Sequence, residues 1–307
     1  MSTPKVDARF EILRVAGRGA MGIVYKAWDR VTASPVALKI PSPSLHERFR
    51  QEATVLAAMD HPHIVRYLGH GRSRTGKMWL AMEWLDGEDL EQRLGSVRLS
   101  LDEVLRLALP VADAMAWAHA RRFVHRDLKP MNLILPDGDV ARVKLLDFGL
   151  ARPLRDSAEL TATGTFMGTM EYMPPEQRVD AKRADARSDV FSLGAVLFHC
   201  LTGEPPSGAA PWEPVRARRP SELRADIPAL FDDLVARMLS PDPAQRPADG
   251  GAVLSGLKEV RSSIPWSWDR AAHRDPSAFD VTAELPAVRG AEGPSGTMIM
   301  PSRGRCR

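Results

Sequence analysis

His125-Arg126-Asp127-Leu128-Lys129-Pro130-Met131-Asn132 brings a carboxylate, an ammonium group and a carboxamide into one short segment. Phosphoryl transfer calls for such a set. The transferring phosphate must meet a correctly held hydroxyl and cations that match its charge, so positioning and electrostatics do most of the work. In that chemistry Asp127 orients the hydroxyl, Lys129 neutralises phosphoryl oxygens and Asn132 binds a divalent cation. Alone, the segment reads equally well as a solvated polar loop, and its neighbours must decide.

Toward the C-terminus, Asp147-Phe148-Gly149 follows the strand-like run Val143-Lys144-Leu145-Leu146. A carboxylate at a strand end is a hard oxygen ligand suited to Mg2+, and Gly149 allows backbone angles that a side chain forbids. Asn132 and Asp147 together make a candidate metal site. Toward the N-terminus, Gly17-Arg18-Gly19-Ala20-Met21-Gly22 is a G-x-G-x-x-G loop, which by itself also fits a dinucleotide-binding turn. The flank decides: Gly22-Ile23-Val24-Tyr25-Lys26-Ala27-Trp28 is β-branched and aromatic, a strand where that turn requires a helix. No acidic residue occupies the strand-end setting about 20 residues further on. The sequence therefore predicts a hairpin with a glycine-rich tip, whose amides can approach phosphate oxygens closely.

The next strand, Pro35-Val36-Ala37-Leu38-Lys39-Ile40, carries one lysine in an apolar run. A half-buried ammonium needs an anion. Nucleotide phosphates provide one, and Glu52 in the helix-like run from Glu47 to Leu56 provides another. A lysine snorkelling at a sheet edge is the plainer alternative, and the neighbouring glycine loop argues against it.

In this order, and with Met173-Pro174-Pro175-Glu176 downstream, the motifs resemble those of the protein kinase family over roughly residues 8 to 262. Lys129 is similar to its counterpart in serine/threonine rather than tyrosine kinases. The phrasing from Gly168 to Gln177 resembles the bacterial, Hanks-type (eukaryotic-like) branch. The resemblance implies an α+β, bilobal fold: a small antiparallel β-sheet N-lobe with one main helix at about 8–82, a hinge at 83–87, and a larger, mostly helical C-lobe at 88–262. Residues 1–7 become an N-terminal extension and 263–307 a disordered tail.

The resemblance also implies roles. ATP and Mg2+ are the cofactors, with Mn2+ as an alternative ion. Lys39, held by Glu52, grips the α and β phosphates, and Asp127 accepts the proton of a protein Ser or Thr hydroxyl. Lys129 steadies the γ-phosphate, and Thr169 bonds Asp127. Backbone groups of Glu83 and Leu85 meet adenine, Met82 is the gatekeeper, and Val24, Ala37 and Ile134 sandwich the ring. Asp89 sits where a ribose contact is often found, although a helix-start aspartate explains it as well. Asp189 caps the catalytic-loop backbone and Arg246 pairs with Glu176, both in structural roles. Ser157, Thr161, Thr163 and Thr165 form a hydroxyl-rich activation segment. A phosphate there, with Thr163 favoured and Thr165 next, would be received by Arg126 and Arg152.

Composition limits the rivals. A chain of 307 residues, 44% hydrophobic, can bury a full core. The formal net charge of +3 and 6% aromatic content do not indicate a nucleic-acid surface. No apolar run approaches the ~20 residues that cross a bilayer, and the N-terminus lacks a signal-peptide core, so the expectation is a soluble, cytoplasmic protein with no membrane span. Two cysteines give no disulfide or metal framework, and Cys200 reads as core. A pseudokinase scaffold would typically lack Lys39, Asp127, Asn132 or Asp147, and all four are present. A small-molecule kinase rarely retains a segment like Gly168 to Glu176 for laying down a peptide. Expected partners are protein substrates, with a phosphothreonine-reading domain or a kinase homodimer as further candidates.

Two stretches depart from the pattern. From Glu204 to Ile227 the prolines and the cluster Arg216, Arg218, Arg219 and Arg224 predict that the helix usual at this place in the family is shortened or missing. Beyond residue 262 come Trp266 and Trp268, then a Pro/Gly/Ala/Ser-rich tail in which Thr297 is a candidate phosphosite and an inert tail the plainer reading.

Overall fold

The computed structural model describes residues 8–19, 22–42, 46–73, 76–147, 170–180, 183–206 and 218–264, without the side chains of residues 46–48 and 50–52. Ala20, Met21, Phe148, Gly149, Arg152, Ser157, Thr161, Thr163, Thr165, Thr169, Arg216, the Glu52 side chain and the tail with Trp266, Trp268 and Thr297 lie outside the described residues.

Strands β1 (Phe10–Gly19), β2 (Gly22–Asp29), β3 (Ser34–Pro41), β4 (Tyr67–Arg72) and β5 (Met78–Glu83) form an antiparallel sheet in the order β1-β2-β3-β5-β4. The alternation of a strand's side chains sorts the two faces. In β5, Trp79 and Ala81 join Phe10, Tyr25, Val36 and Leu38 in an outer cluster, whereas Met78, Leu80 and Met82 face Phe49, Ala53 and Leu56 of helix α1 (His46–Ala57). The hairpin predicted around the glycine-rich loop is present, with Gly19 opposite Gly22. Gly22 has φ +131, and a Cβ there would lie 2.1 Å from the Ile40 carbonyl oxygen, so only glycine lets β2 run this close to β3. At the other end of the hairpin Asp29 accepts Arg9 Nε and Nη2 at 2.8 and 2.6 Å, and the Val31 N–H at 3.0 Å.

The second lobe is mostly helical. A small sheet of β6 (Gly87–Asp89), β7 (Leu133–Pro136) and β8 (Lys144–Leu145) accompanies α2 (Leu90–Leu94), α3 (Leu101–Ala120), α4 (Pro175–Val179), α5 (Ala186–Thr202), α6 (Ala229–Met238) and α7 (Gly250–Ser263). Helix α3 begins with a capping box in which the Glu103 N–H donates to Ser100 Oγ and the Ser100 N–H donates to the Glu103 carboxylate. Pro110 lies inside it, where propensity alone would break the helix. The buried face of Val104, Leu105, Ala108, Val111, Ala112 and Met115 overrides that preference, at about 1.5–3 kcal/mol for each large side chain fully buried. Helix α5 is buried nearly all round; Asp185 and Ser188 supply its capping box, so Asp189 lies in its first turn. Cys200 is core as expected, and burial pushes its thiol pKa up.

The two lobes share backbone and core. Ile64 bridges to Leu145, the Val65 N–H donates to Leu145 O at 3.0 Å, and the Leu145 N–H donates to His63 O at 2.8 Å. One continuous cluster runs from Phe49, Leu56 and Leu80 through Ile64 and Leu145 to Leu105 and Phe198.

Of the stretch from Glu204 to Ile227, residues 207–217 are outside the description; the rest holds a 3₁₀ turn at Pro220–Glu222 and no α-helix. Its arginines pack the chain down: Arg219 Nε meets Asp232 at 2.6 Å, and Arg224 Nη1 donates to the Leu99 and Leu201 carbonyls at 3.1 and 3.3 Å. Among the described residues no helix is long and apolar enough to cross a membrane.

Candidate active site

The segment from His125 to Asn132 follows α3 along a tight path that is held in large part by residues far from it in sequence. Asp189, 1% exposed in the first turn of α5, accepts the backbone N–H of His125 at 2.6 Å and of Arg126 at 2.8 Å. Its Oδ2 also meets His119 Nε2 at 2.9 Å. Because His119 Nδ1 accepts the Gly250 N–H at 3.0 Å, the ring proton sits on Nε2 and points to the carboxylate. Arg126 has φ +65, a left-handed conformation that costs a residue with a side chain on the order of 1–3 kcal/mol. It is pinned on both sides, its N–H by Asp189 and its carbonyl by Gln177 Nε2 at 2.7 Å. The bond expected between Asp189 and the loop backbone is therefore present, and Gln177 and His119 are additional supports.

Asp127 is buried at the centre of the loop. Its N–H donates to His125 Nδ1 at 3.2 Å, which puts the His125 proton on Nε2, donated to the Leu146 carbonyl at 2.7 Å. Lys129 Nζ lies 3.1 Å from Asp127 Oδ2, and Asn132 Nδ2 donates to the Asp127 carbonyl at 2.7 Å and to Oδ2 at 3.3 Å. With its nitrogen committed, Asn132 keeps its amide oxygen for a cation. The Leu146 N–H donates to Asn132 O at 2.9 Å and so draws Asp147 beside it. Asp147, at φ +37, accepts Lys39 Nζ on Oδ1 at 3.1 Å. Lys39 is only 4% exposed, deeper than the half-buried place read from the sequence, and Asp147 is the anion described beside it.

Register places the remaining cleft residues. Val24 lies opposite Lys39 and Ala37 opposite Met82, while Ile134 lies opposite Asp89; Val24, Ala37 and Ile134 are half-buried and Met82 is buried. Gly17, Arg18, Gly19 and Gly22 stand at the hairpin end above them. In the hinge, the Glu83 N–H is already given to Arg66 O at 2.9 Å, and its carboxylate takes Lys144 at 2.7 Å. Among the described residues the Leu85 N–H meets no acceptor, which suits a hydrogen-bonding base. Asp89 is the N-cap of α2, accepting the Gln92 N–H at 2.9 Å, so the helix-start reading describes one of its oxygens.

These donors fit Mg2+ and a nucleotide. Mg2+ keeps several waters and is bound through one or two protein ligands plus substrate phosphates, rather than by a full protein cage. Asp147 and Asn132 supply that number, and among the described residues no three of His, Cys, Asp and Glu gather to make a cage.

Below the loop, Arg246 forks onto Glu176 at 2.8 and 2.9 Å, with the side chains 0% and 13% exposed. Burial pushes the Glu176 pKa up, but the hydrogen bonds from Arg246 and Ser188 outweigh it and hold the carboxyl below its usual range.

A model of the protein kinase domain matches residues 10–256. Serine/threonine-protein kinase A of Synechocystis is 33% identical over 282 residues, 83% of this chain and 54% of its own length. PknJ of Mycobacterium tuberculosis is 34% identical over 268 residues, 82% of this chain and 45% of its own, and PknB of Mycobacterium leprae is 33% identical over 280 residues, 85% and 44%. The chain thus spans about half the length of these relatives. Among solved structures, Rad53 residues 1–466 in complex with AMP-PNP aligns with a TM-score of 0.67 at 26% identity, covering 81% of this chain and 64% of that one. The match extends through both lobes and all the motifs that meet in the cleft, and on it this chain belongs to the protein kinase family.

Proposed function

We propose that the chain is a serine/threonine protein kinase, transferring the γ-phosphoryl group of ATP to Ser or Thr hydroxyls of protein substrates. The observation that carries this reading is the fixing of Asp127 between Lys129 and Asn132 while Asp147 is drawn beside it on Lys39. Asp127 then orients the acceptor hydroxyl and takes up its proton, and Lys129 meets the charge on the phosphoryl oxygens. Lys39 holds the α and β phosphates, with Glu52 as its proposed support. Mg2+ between Asn132 and Asp147 would neutralise charge on the phosphates. Val24, Ala37 and Ile134 provide the apolar walls for adenine, and Leu85 a backbone donor. Thr169 is proposed as the partner of Asp127 that favours aliphatic hydroxyls.

Regulation by phosphate on Thr163 or Thr165 is supported by Arg126. Its Nε is buried and meets no acceptor among the described residues, a cost that an arriving phosphate would remove. Arg152 and Thr161 complete the proposed switch. The proposed setting is the cytoplasm; a phosphothreonine reader or a second copy of the chain is the proposed partner.

The test is incubation of the purified protein with ATP, Mg2+ and a generic protein acceptor, with phosphosites mapped by mass spectrometry and Asp127→Asn and Asp147→Ala run in parallel. Phosphate on Ser and Thr in the wild type alone supports the reading. ATP binding without transfer, even after treatment with an active relative, would make the chain a nucleotide-binding scaffold instead.

A further inference from the structure

The hinge carries a cluster that the catalytic reading leaves unused. Arg14 in β1 and Lys26 in β2 are register partners. Like charges directly opposite each other on neighbouring strands destabilise a sheet, so this pair needs a compensating contact. Both cations turn over one indole: Lys26 Nζ lies 4.6 Å and Arg14 Cζ 5.3 Å from the centroid of the Trp84 ring. Trp84 Nε1–H donates to Asp86 Oδ1 at 2.7 Å, and Lys26 Nζ reaches the same oxygen at 3.0 Å. The Asp86 carbonyl in turn accepts the Asp137 N–H at 3.0 Å, just past β7. One run of contacts thus joins the β1–β2 hairpin to the hinge and the hinge to the helical lobe.

Its position gives it a use. Lys26 shares the cleft face of β2 with Val24, which lies opposite Lys39. Strand β1 is an edge strand, and Gly17, Gly19 and Gly22 near the end of the hairpin have no side chain with which to anchor it. A local arrangement that weakens its own sheet while bridging three parts of a cleft is the kind of conflict that marks function rather than folding.

We infer that Arg14, Lys26, Trp84 and Asp86 are positioning residues that hold the glycine-rich hairpin against the hinge and so set the affinity of the cleft for nucleotide. The inference rests on the nucleotide-binding reading above. The four act through the hairpin, on binding rather than on the chemical step, and their Coulombic part weakens with salt.

The experiment is calorimetric titration of ATP with Mg2+ into the full chain for wild type, Asp86→Asn, Lys26→Met, Trp84→Leu and the Lys26→Met/Asp86→Asn double variant, with ATP KM, kcat and thermal midpoints measured on each. Each single substitution is expected to weaken binding about threefold to tenfold and to raise KM in parallel, with kcat within about twofold of wild type. The double variant should lose less than the product of the two singles, because they share one interaction. Variants that bind ATP as tightly as wild type, or whose losses fall on kcat alone, would overturn the inference and leave the nucleotide reading standing. A wild-type chain that does not bind ATP would overturn both. If Trp84→Leu is too unstable to handle, Asp86→Asn, which alters an exposed carboxylate, decides the matter.

Discussion

The catalytic loop and the nucleotide hairpin are both held by charged groups, but in opposite ways. The loop is fixed from beneath by buried partners, Asp189 on its backbone and the Arg246–Glu176 fork below, where low exposure makes each bond hard to replace. The hairpin is held from outside by Arg14, Lys26, Trp84 and Asp86, where water competes for every contact. Under the proposed function, the element that carries the base is the rigidly fastened one, and the cover over the nucleotide is the loosely fastened one.

Four measurements would break or sharpen that contrast. Arg246→Ala leaves Glu176 buried without its cation and should cost about 3–5 kcal/mol in urea unfolding; a loss under 1 kcal/mol would mean the fork is no anchor. Asp189→Asn keeps the shape but gives up the charged acceptor for two backbone N–H groups. It should lower kcat about 100-fold while leaving ATP affinity within about twofold, since the loop moves and the hairpin does not; equal losses in both would merge the two regions into one.

The third tests charge within the N-lobe sheet. The Arg9 hydrogen bonds outweigh burial and lower the Asp29 pKa from 3.8 to about 2. A depressed carboxylate stabilises the fold above its unfolded pKa, and that stability is lost as pH falls from about 4 toward about 2. Asp29→Asn should remove on the order of 2 kcal/mol at neutral pH and flatten the acid limb of the unfolding curve; an unchanged limb would count against the pair. The smallest effect is expected at the exposed Arg30–Glu11 pair, 3.1 Å apart, where Arg30→Ala should change stability by less than about 0.5 kcal/mol. A larger loss there would blur the distinction between buried and exposed fastening.

Much of this was legible in the chain because it is local. The hairpin followed from β-branched residues after Gly22, and the need of Lys39 for an anion from its apolar strand. What stayed hidden is what distance conceals. His119 works only because Asp189 and Gly250 arrive from far along the chain, and Gln177 because α4 returns to Arg126. Trp84 reads as an ordinary aromatic until two strands bring cations over it. Arg224 gave no sequence signal that it would reach the Leu99 and Leu201 carbonyls.

The strand-like exchange between His63, Val65 and Leu145, with one core cluster on both sides of it, bears on inheritance. A cut at the hinge would divide that cluster and leave Phe49, Leu56 and Leu80 facing water on one fragment and Leu105 and Leu145 on the other. The lobes are therefore not cassettes. Shuffling an N-lobe from one relative onto a C-lobe from another should yield chimeras that aggregate unless the His61 to Val65 segment travels with the residues it pairs with around Leu145. Recombination within the family is then constrained to breakpoints at the ends of the shared unit.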